Sequence, residues 1–366
     1  MSNVREARVT RLSMAAPDDV APIEAAIAAG TIDPAAIGAI FGKTEGNGCV
    51  NDFTRAFAVR ALRDMLRTHL GATAAEDVAL VMSGGTEGAL SPHWLVFEAV
   101  PSAAAPRADA LALGVHLTPA LAPEQIGRTA QAKAVAAGVV EAMRRAGIAS
   151  PDDVHYVQVK CPLITVERAT EAAARGAPPR TTDTLKSMGL SRGAASLGVA
   201  LALGEVAAEA VTDAAIGADF TVFSRRASAS SGVELMANEI VVLGRSAQWT
   251  GPLTIDSTVM ADAVDLSGVL ALFQRQGLAV GGRGGAAAAE LVALLSKAEA
   301  SSTGRVRGFR HTMLDDSDIA ATRHARGFVA GVLAGVVGHA EIFVSGGAEH
   351  QGPDGGGPVA AIVRRG

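Results

Sequence analysis

The sequence predicts an α/β protein built from three similar units, and three observations carry that prediction. First, a pattern of Ser, Gly two residues on and Glu four residues on occurs three times: Ser83-Gly-Gly-Thr-Glu87, Ser230-Ser-Gly-Val-Glu234 and Ser345-Gly-Gly-Ala-Glu349. Second, each copy lies downstream of a Lys that ends an apolar run (Lys43, Lys160, Lys297) and of an Arg preceded by Thr or Ser (Arg55, Arg192, Arg323). Third, 49% of the 366 residues are apolar but only 4% are aromatic, so the core is built from Ala, Val, Leu and Ile, which suits layered helices and sheets. A chain of this length holds two or three domains. Three Lys, Arg and Ser sets in one order point to units over 1–104, 105–250 and 251–366 that converge on one site.

In the first unit, residues 22–30 read as a short helix closed by Gly30. A strand over Ile37–Phe41 delivers Gly42-Lys43-Thr44, which invites a phosphate-loop reading. That motif needs Gly where Ile37 stands, so a nucleotide site is set aside. Asn51 or Asp52 caps a helix running to about Leu70, with Phe53, Phe57, Leu62, Met65 and Leu66 as its apolar face. Arg55 then falls in the first turn, where unpaired backbone N–H groups already favour an anion. A strand over Val78–Met82 ends at Ser83, and 101–106 reads as a linker.

The second unit begins with a strand over Ala108–Val115 and a helix from about Pro123 to Ala146. An alternating strand, Val154–Val159, ends on Lys160, Cys161 and Pro162; Pro162 cannot donate to a ladder, so the strand stops there and leaves Lys160 at its rim. Ser191 caps a helix over Gly193–Val206 with Arg192 in its first turn, and a strand follows at Glu239–Leu243 before the boundary at 248–252. In the third unit, 286–295 forms a helix or strand leading to Lys297, and Asp315–Asp318 cap a long helix bearing Arg323. A strand over Ala340–Val344 runs into Ser345. Residues 346–358 are too Gly-rich for helix or strand and form a tight loop before the last strand, Val359–Val363. Such loops point carbonyls at a cation or N–H groups at an anion.

The net charge of −5 has both signs interspersed and no Lys/Arg block, so neither nucleic acid nor an anionic membrane is an expected partner. Two cysteines, Cys49 and Cys161, cannot make a disulfide framework and fit a reducing cytoplasm. Residues 1–15 have no apolar stretch of the signal-peptide kind. Residues 327–344 are interrupted by His339 and Glu341 and read as a buried helix followed by a strand, not as a membrane span.

A Ser hydroxyl needs a base to become a nucleophile, and a neutral Lys amine serves when burial and neighbouring cations lower its pKa. Lys43 and Lys297 have Glu45 and Glu299 two residues on, on the same face of an extended segment, and are expected to stay charged and paired. Lys160 is followed by Cys-Pro-Leu, so Lys160 reads as the base and Ser230 as its nucleophile. The small residue after each Ser lets the N–H groups of Gly84, Ser231 and Gly346 approach a developing oxyanion. The eight histidines show no His-x-His or His-Glu-x-x-His, so a catalytic zinc lacks its usual spacing. Cys161 beside Lys160 has no His spaced as a partner.

At these residues the chain resembles the cyanuric acid hydrolase and barbiturase family. The matching stretches are Gly42-Lys-Thr-Glu-Gly-Asn-Gly-Cys-Val-Asn-Asp52, Met82-Ser-Gly-Gly-Thr-Glu-Gly88, Gln158-Val-Lys-Cys-Pro162, Arg310-His-Thr-Met-Leu314, Thr322-Arg-His-Ala325 and Ser345-Gly-Gly-Ala-Glu-His-Gln-Gly352. The resemblance implies three α/β domains about a pseudo-threefold axis, a toblerone-like fold, in a homotetramer with one active site per chain. It implies three Ser–Lys pairs and three Arg around the substrate ring, with the central pair nucleophilic. Arg323 is taken over Arg326 as the third Arg on the shared Thr/Ser-Arg pattern. The resemblance also implies that Glu299, Ala348, Gln351, Gly352, Pro353 and Gly356 hold a structural Mg2+ or Ca2+ away from the chemistry, with no catalytic cofactor. The implied substrate is cyanuric acid, whose threefold ring offers one edge to each unit, opened to carboxybiuret and then biuret and CO2. Barbituric acid is the rival substrate, and a non-catalytic heterocycle-binding protein is the alternative from another class.

Overall fold

A computed structural model gives the fold, and it describes residues 4–278 and 290–365. In the first unit, β1 (Arg5–Ser13), α1 (Ala21–Ala28), β2 (Ile37–Thr44), α2 (Phe53–Glu76), β3 (Ala79–Gly84) and β4 (His93–Pro101) follow one another. The second unit contains β5 (Leu111–Leu117), α3 (Thr129–Ala146), β6 (Val154–Pro162), α4 (Val166–Ala174), α5 (Thr184–Ala202), β7 (Ala227–Gly232) and β8 (Glu239–Arg245). A short β9 (Trp249–Thr250) joins the free edge of β1 in parallel. The third unit contains β10 (Leu253–Met260), α6 (Ser267–Arg275), β11 (Leu291–Ala298), a small hairpin of β12 (Arg305–Val306) and β13 (Phe309–Arg310), then α7 (Ala321–Val337), β14 (Phe343–Gly346) and β15 (Gly357–Arg364).

Each unit has the same sheet order: β3-β2-β4-β1, β7-β6-β8-β5 and β14-β11-β15-β10. The Lys-bearing and Ser-bearing strands run parallel, and a parallel pair requires a long crossover, which α2, α5 and α7 supply. The registers coincide: Lys43 lies opposite Ser83, Lys160 opposite Ser230 and Lys297 opposite Ser345. The three Lys–Ser neighbours read from the sequence are thus fixed by sheet pairing.

The three sheets share one interior. Phe41 packs on Phe97 with ring centroids 4.6 Å apart and on Phe343 at 5.5 Å, within a cluster that also holds Tyr156, Val81 and Leu295 from all three units. On their other faces the first and third sheets close separate clusters with their own helices, around Leu62 and Leu66 and around Leu333 and Phe273. Most central strands are therefore buried on both faces, which is why the sequence shows apolar runs there and not alternation.

Several local expectations are corrected. Asp52 does cap α2, its carboxylate accepting from Thr54 N at 3.0 Å, but the helical run continues past Leu70 to Glu76 across a break at Gly71 (φ 78°). Phe53, 80% exposed, and Phe57 lie outside the apolar face, which is made by Ala58, Leu62, Met65 and Leu66. The helix of the second unit starts at Thr184, capped by Asp183, so Ser191 lies inside it accepting from Gln131, and Arg192 sits mid-helix. α7 starts at Ala321; Asp316 accepts from Asp318 N and Ile319 N and so fixes the turn before it. Of the element expected over 286–295, residues 286–289 lie outside the described residues, and the remainder enters β11. Residues 327–344 divide between α7 and β14, and among the described residues no helix is long and apolar enough to cross a membrane.

Candidate active site

The carboxyl ends of the three Ser strands meet at one hollow. It is lined by Ser83 and Gly84, Ser230 and Ser231, Ser345 and Gly346, together with Arg55, Arg192 and Arg326. Arg326 is buried in this hollow, whereas Arg323, 35% exposed, stands at the wider vestibule outside it. One helical turn separates the two: the first turn of α7 faces the rim, and the next residue on the inner side is Arg326. The Thr-Arg pattern points to Arg323, whereas the arginine that lines the hollow is Arg326.

The lysines lie under the floor of the hollow, wholly or almost wholly buried. Lys43 Nζ donates to Ser83 Oγ at 3.3 Å, and Lys297 Nζ to Ser345 Oγ at 3.2 Å and to the Ala229 carbonyl at 2.8 Å. Burial and the Arg326 guanidinium hold the Lys43 amine well below its ordinary pKa. Burial and Arg192 bring Lys297 down to about 7. Lys160 differs: its Nζ donates to the Met82 carbonyl at 2.8 Å and lies 2.9 Å from the Glu234 carboxylate, while Ser230 Oγ has no hydrogen-bond partner. Burial lowers the Lys160 pKa and Glu234 restrains the fall.

The expectation that Lys160 alone lacks a carboxylate is thus overturned. β2 ends at Thr44, so Glu45 turns to solvent and leaves Lys43. Glu234 instead folds back from the loop after β7, four residues past its Ser, onto the Lys of its own unit. The same Glu of the other two units goes elsewhere. Glu87 grips Arg326 of the third unit through two hydrogen bonds, and Glu349 grips Arg192 of the second at 2.7 and 2.6 Å. Continued round the ring, that rotation would pair Glu234 with Arg55. Arg55 donates instead to the carbonyls of Cys49 at 2.6 Å, Gly48 at 3.3 Å and Ser231 at 3.4 Å. The repeated Glu is visible in the sequence, but Glu87 and Glu349 pair with arginines of other units, for which there is no local signal.

The Gly-rich loop lies beside the hollow. A cavity of about 220 Å3 is lined by Glu299, Ala348, Gly352, Pro353 and Asp354. Burial and the neighbouring Glu349 carboxylate raise the Glu299 pKa, so the charged form of Glu299 is disfavoured here and a cation would stabilise it. That fits a hard cation held by Glu299 and backbone carbonyls. Gln351 can offer only its backbone oxygen, because its side chain accepts from Ala229 N at 2.7 Å and donates to the Gly347 and Glu349 carbonyls. Asp354 is spent on Ser301 Oγ and Ser302 N. Among the described residues no group of three His, Cys, Asp or Glu side chains is arranged to hold a metal.

A repeated Ser-and-Lys floor, ringed by guanidinium groups and donors, suits attack on the carbonyl of an anionic amide ring. A profile of the family described as "Amidohydrolase ring-opening protein" matches residues 8–364. The chain belongs to this ring-opening amidohydrolase family. It is accordingly an amide-bond hydrolase with the three-unit α/β architecture. A relative from Azorhizobium caulinodans, described as a cyanuric acid amidohydrolase, is 61% identical over 359 residues, 98% of each chain. Another of that description from a Bradyrhizobium species is 59% identical over 369 residues, covering 100% of this chain and 99% of its own. The crystal structure of the cyanuric acid hydrolase of A. caulinodans superposes with a TM-score of 0.93 at 59% identity, over 99% of both chains. A second solved cyanuric acid hydrolase, discussed in terms of structural concatenation, gives 0.93 at 47% identity, over 99% and 100%.

Proposed function

We propose that the protein hydrolyses cyanuric acid, with Ser230 as nucleophile and Lys160 as general base. The observation that supports this reading best is the single hollow in which Ser83, Ser230 and Ser345 and Arg55, Arg192 and Arg326 meet, because a ring of three alternating carbonyl and N–H edges matches three like units. The free space in the hollow is about 20 Å3, room for one water, and the adjoining vestibule of about 420 Å3 is the side from which a ring would enter.

Neutral Lys160 takes the Ser230 proton as the oxygen bonds to a ring carbonyl carbon. The N–H groups of Gly84, Ser231 and Gly346 supply donors for the ring oxygens, including the one that becomes an oxyanion. The C–N bond breaks, Lys160 returns the proton to the leaving nitrogen, and water releases carboxybiuret from Ser230; loss of CO2 leaves biuret. Ser83 and Ser345, each already engaged by a lysine, act as hydrogen-bonding arms for the other two edges. A second reading has a specific observation behind it: Lys297, brought to about 7 and 3.2 Å from Ser345 Oγ, has the resting geometry of a Ser–Lys dyad. In favour of Ser230 is its unengaged hydroxyl, and in favour of Lys160 the carboxylate that can take up its proton.

Glu299 and the carbonyls of Ala348, Gln351, Gly352, Pro353 and Gly356 would hold a Mg2+ or Ca2+ that braces the loop carrying Glu349. The homotetramer implied by the family resemblance would have apolar surface to cover in the exposed Phe53, Phe57, Phe309 and Phe328. The deciding experiment supplies cyanurate and barbiturate separately to the purified protein. Ring opening of cyanurate is expected. Opening of barbiturate alone would reassign the substrate, and binding of either without turnover would leave a heterocycle-binding protein.

A further inference from the structure

We propose that Glu239, working through Glu234, carries protons between Lys160 and a second cavity behind α2, so that the resting Lys160 ammonium becomes the neutral base without using the substrate's entrance. This rests on the reading of Lys160 as the base. A cavity of about 530 Å3 lies on the α2 side of the first sheet, and both Glu234 and Glu239 line it. It is distinct from the vestibule of Lys186, Arg192 and Arg323 through which a ring would enter. Glu239 is the residue directly opposite Lys160 on the neighbouring strand, and its carboxylate accepts from Leu80 N at 2.9 Å. Glu234 touches the Lys160 ammonium at 2.9 Å, yet neither of its buried oxygens has a hydrogen bond of good geometry. Lys160 thus touches Glu234, and Glu234 and Glu239 line the same cavity.

The other two units lack this arrangement. Opposite Lys43 stands His93, and continuing the Ser296–Val359 pairing by one residue sets Pro358 opposite Lys297. Only the unit of Ser230 places an acid there. The other charges facing the pair are Arg55 towards Glu234 and Arg63 towards Glu239. Across the cavity mouth, Arg60 is tied to Asp64 and Arg67 to Asp64 and Glu76. Burial raises the Glu239 carboxyl to about 7, which suits a group that both takes and gives a proton near neutrality. Burial would also raise Glu234, but Lys160 and Arg55 more than offset it and keep its carboxyl below the ordinary range.

The steps balance. The Lys160 ammonium passes a proton to the Glu234 carboxylate, leaving a neutral amine and a neutral acid. Glu234 passes it to the Glu239 carboxylate, and Glu239 to a water or buffer base in the cavity. The reverse flow recharges the pair. With the ring filling the hollow, the front of the site holds no room for this exchange.

The test compares Glu239→Gln with Glu239→Asp and Lys160→Ala, using cyanurate turnover. For Glu239→Gln, kcat is expected to fall about 100-fold with KM unchanged, the low end for loss of a positioned proton acceptor. The limb of the kcat–pH profile near 7 should move or vanish, imidazole added as a small proton carrier should restore part of the rate, and Glu239→Asp should keep most of it. An unchanged pH profile with no response to imidazole, in a protein that melts like wild type, overturns the relay even if Lys160→Ala is inactive. A fall in rate with neither a profile change nor rescue also overturns it, because it marks a structural role. If Lys160→Ala itself turns over normally, the dyad assignment fails first, and the relay with it.

Discussion

The second unit and its two neighbours share one strand order, one Lys–Ser register and one Ser-x-Gly-x-Glu pattern, yet their centres differ electrostatically. In the first and third units the Lys donates to its Ser, and the Glu four residues on neutralises an Arg of another unit. In the second unit the Glu stays at home on Lys160, Arg55 turns to backbone carbonyls, and the Ser230 hydroxyl is left without a partner. The interior below continues the difference. Where Phe41 with Val81 and Leu295 with Phe343 fill the axis from the other units, the second supplies Gln158 and Ser228, each with a buried unpartnered oxygen, and Tyr156 beneath them. Pseudo-symmetry thus builds a cage with three like walls, and departures from it single out one of them.

The largest test of this contrast is to remove each Ser and each Lys in turn. Ser230→Ala and Lys160→Ala should cut kcat by at least about 1,000-fold, as losses of a nucleophile and its base do. Ser83→Ala and Ser345→Ala should cost about 10- to 100-fold, chiefly in KM, if they only place the ring. Steady-state kinetics on cyanurate decide it, and a Ser345→Ala as inactive as Ser230→Ala would transfer the chemistry to the Lys297 pair.

A smaller effect separates the two arginines of α7. Truncating Arg326 to Ala removes a guanidinium from the hollow and leaves Glu87 half-unpaired, so kcat/KM should fall about 100-fold and stability by about 3 kcal/mol. Truncating Arg323 to Ala removes an exposed partner of the same carboxylate and should cost under about 1 kcal/mol. Urea midpoints and kcat/KM on both variants check the order, and equal losses would return Arg323 to the site.

What was legible in the sequence was local. The Lys, Ser and following Gly of each unit could be read because strand ends, small residues and a repeat are short-range signals, and the sheet then did no more than place them side by side. Arg326 was missed because choosing between two arginines three residues apart needs the start of α7, and four acidic or polar residues before Ala321 offer false starts. Ser191 resembles a cap and so suggests a first-turn position for Arg192, while Asp183 eight residues earlier does the capping. Glu234 was missed for a different reason: i and i+2 share a face only while a strand lasts, so Glu45 was credited to Lys43 and a carboxylate from another loop was not credited to Lys160. The strands β1, β4, β7 and β10 are not read from the sequence; β7 is a Ser-rich run, and Trp94 to Phe97 in β4 is an apolar run whose periodicity does not separate helix from strand.

The finest test uses the residues that stand opposite two of the lysines, because His93 and Glu239 should drive stability in opposite directions with pH. Burial holds His93 down to about 4, its Nδ1–H donating to the Ser91 carbonyl and its Nε2 unpartnered near Lys43. Between about 4 and its ordinary 6.5 the unfolded chain binds more protons there than the folded one, so this contribution rises with pH. Glu239 is raised from 4.5 to about 7, so between those values the folded chain binds more protons and its contribution falls as pH rises. Each effect has a ceiling of about 1.4 kcal/mol per pH unit, and over their shared window they oppose one another. His93→Gln should therefore tilt the stability curve downward with rising pH, and Glu239→Gln should tilt it upward. Urea midpoints from pH 4.5 to 6.5 measure both slopes, and variants that tilt the curve the same way would show that the two positions are not the electrostatic opposites that set the second unit apart.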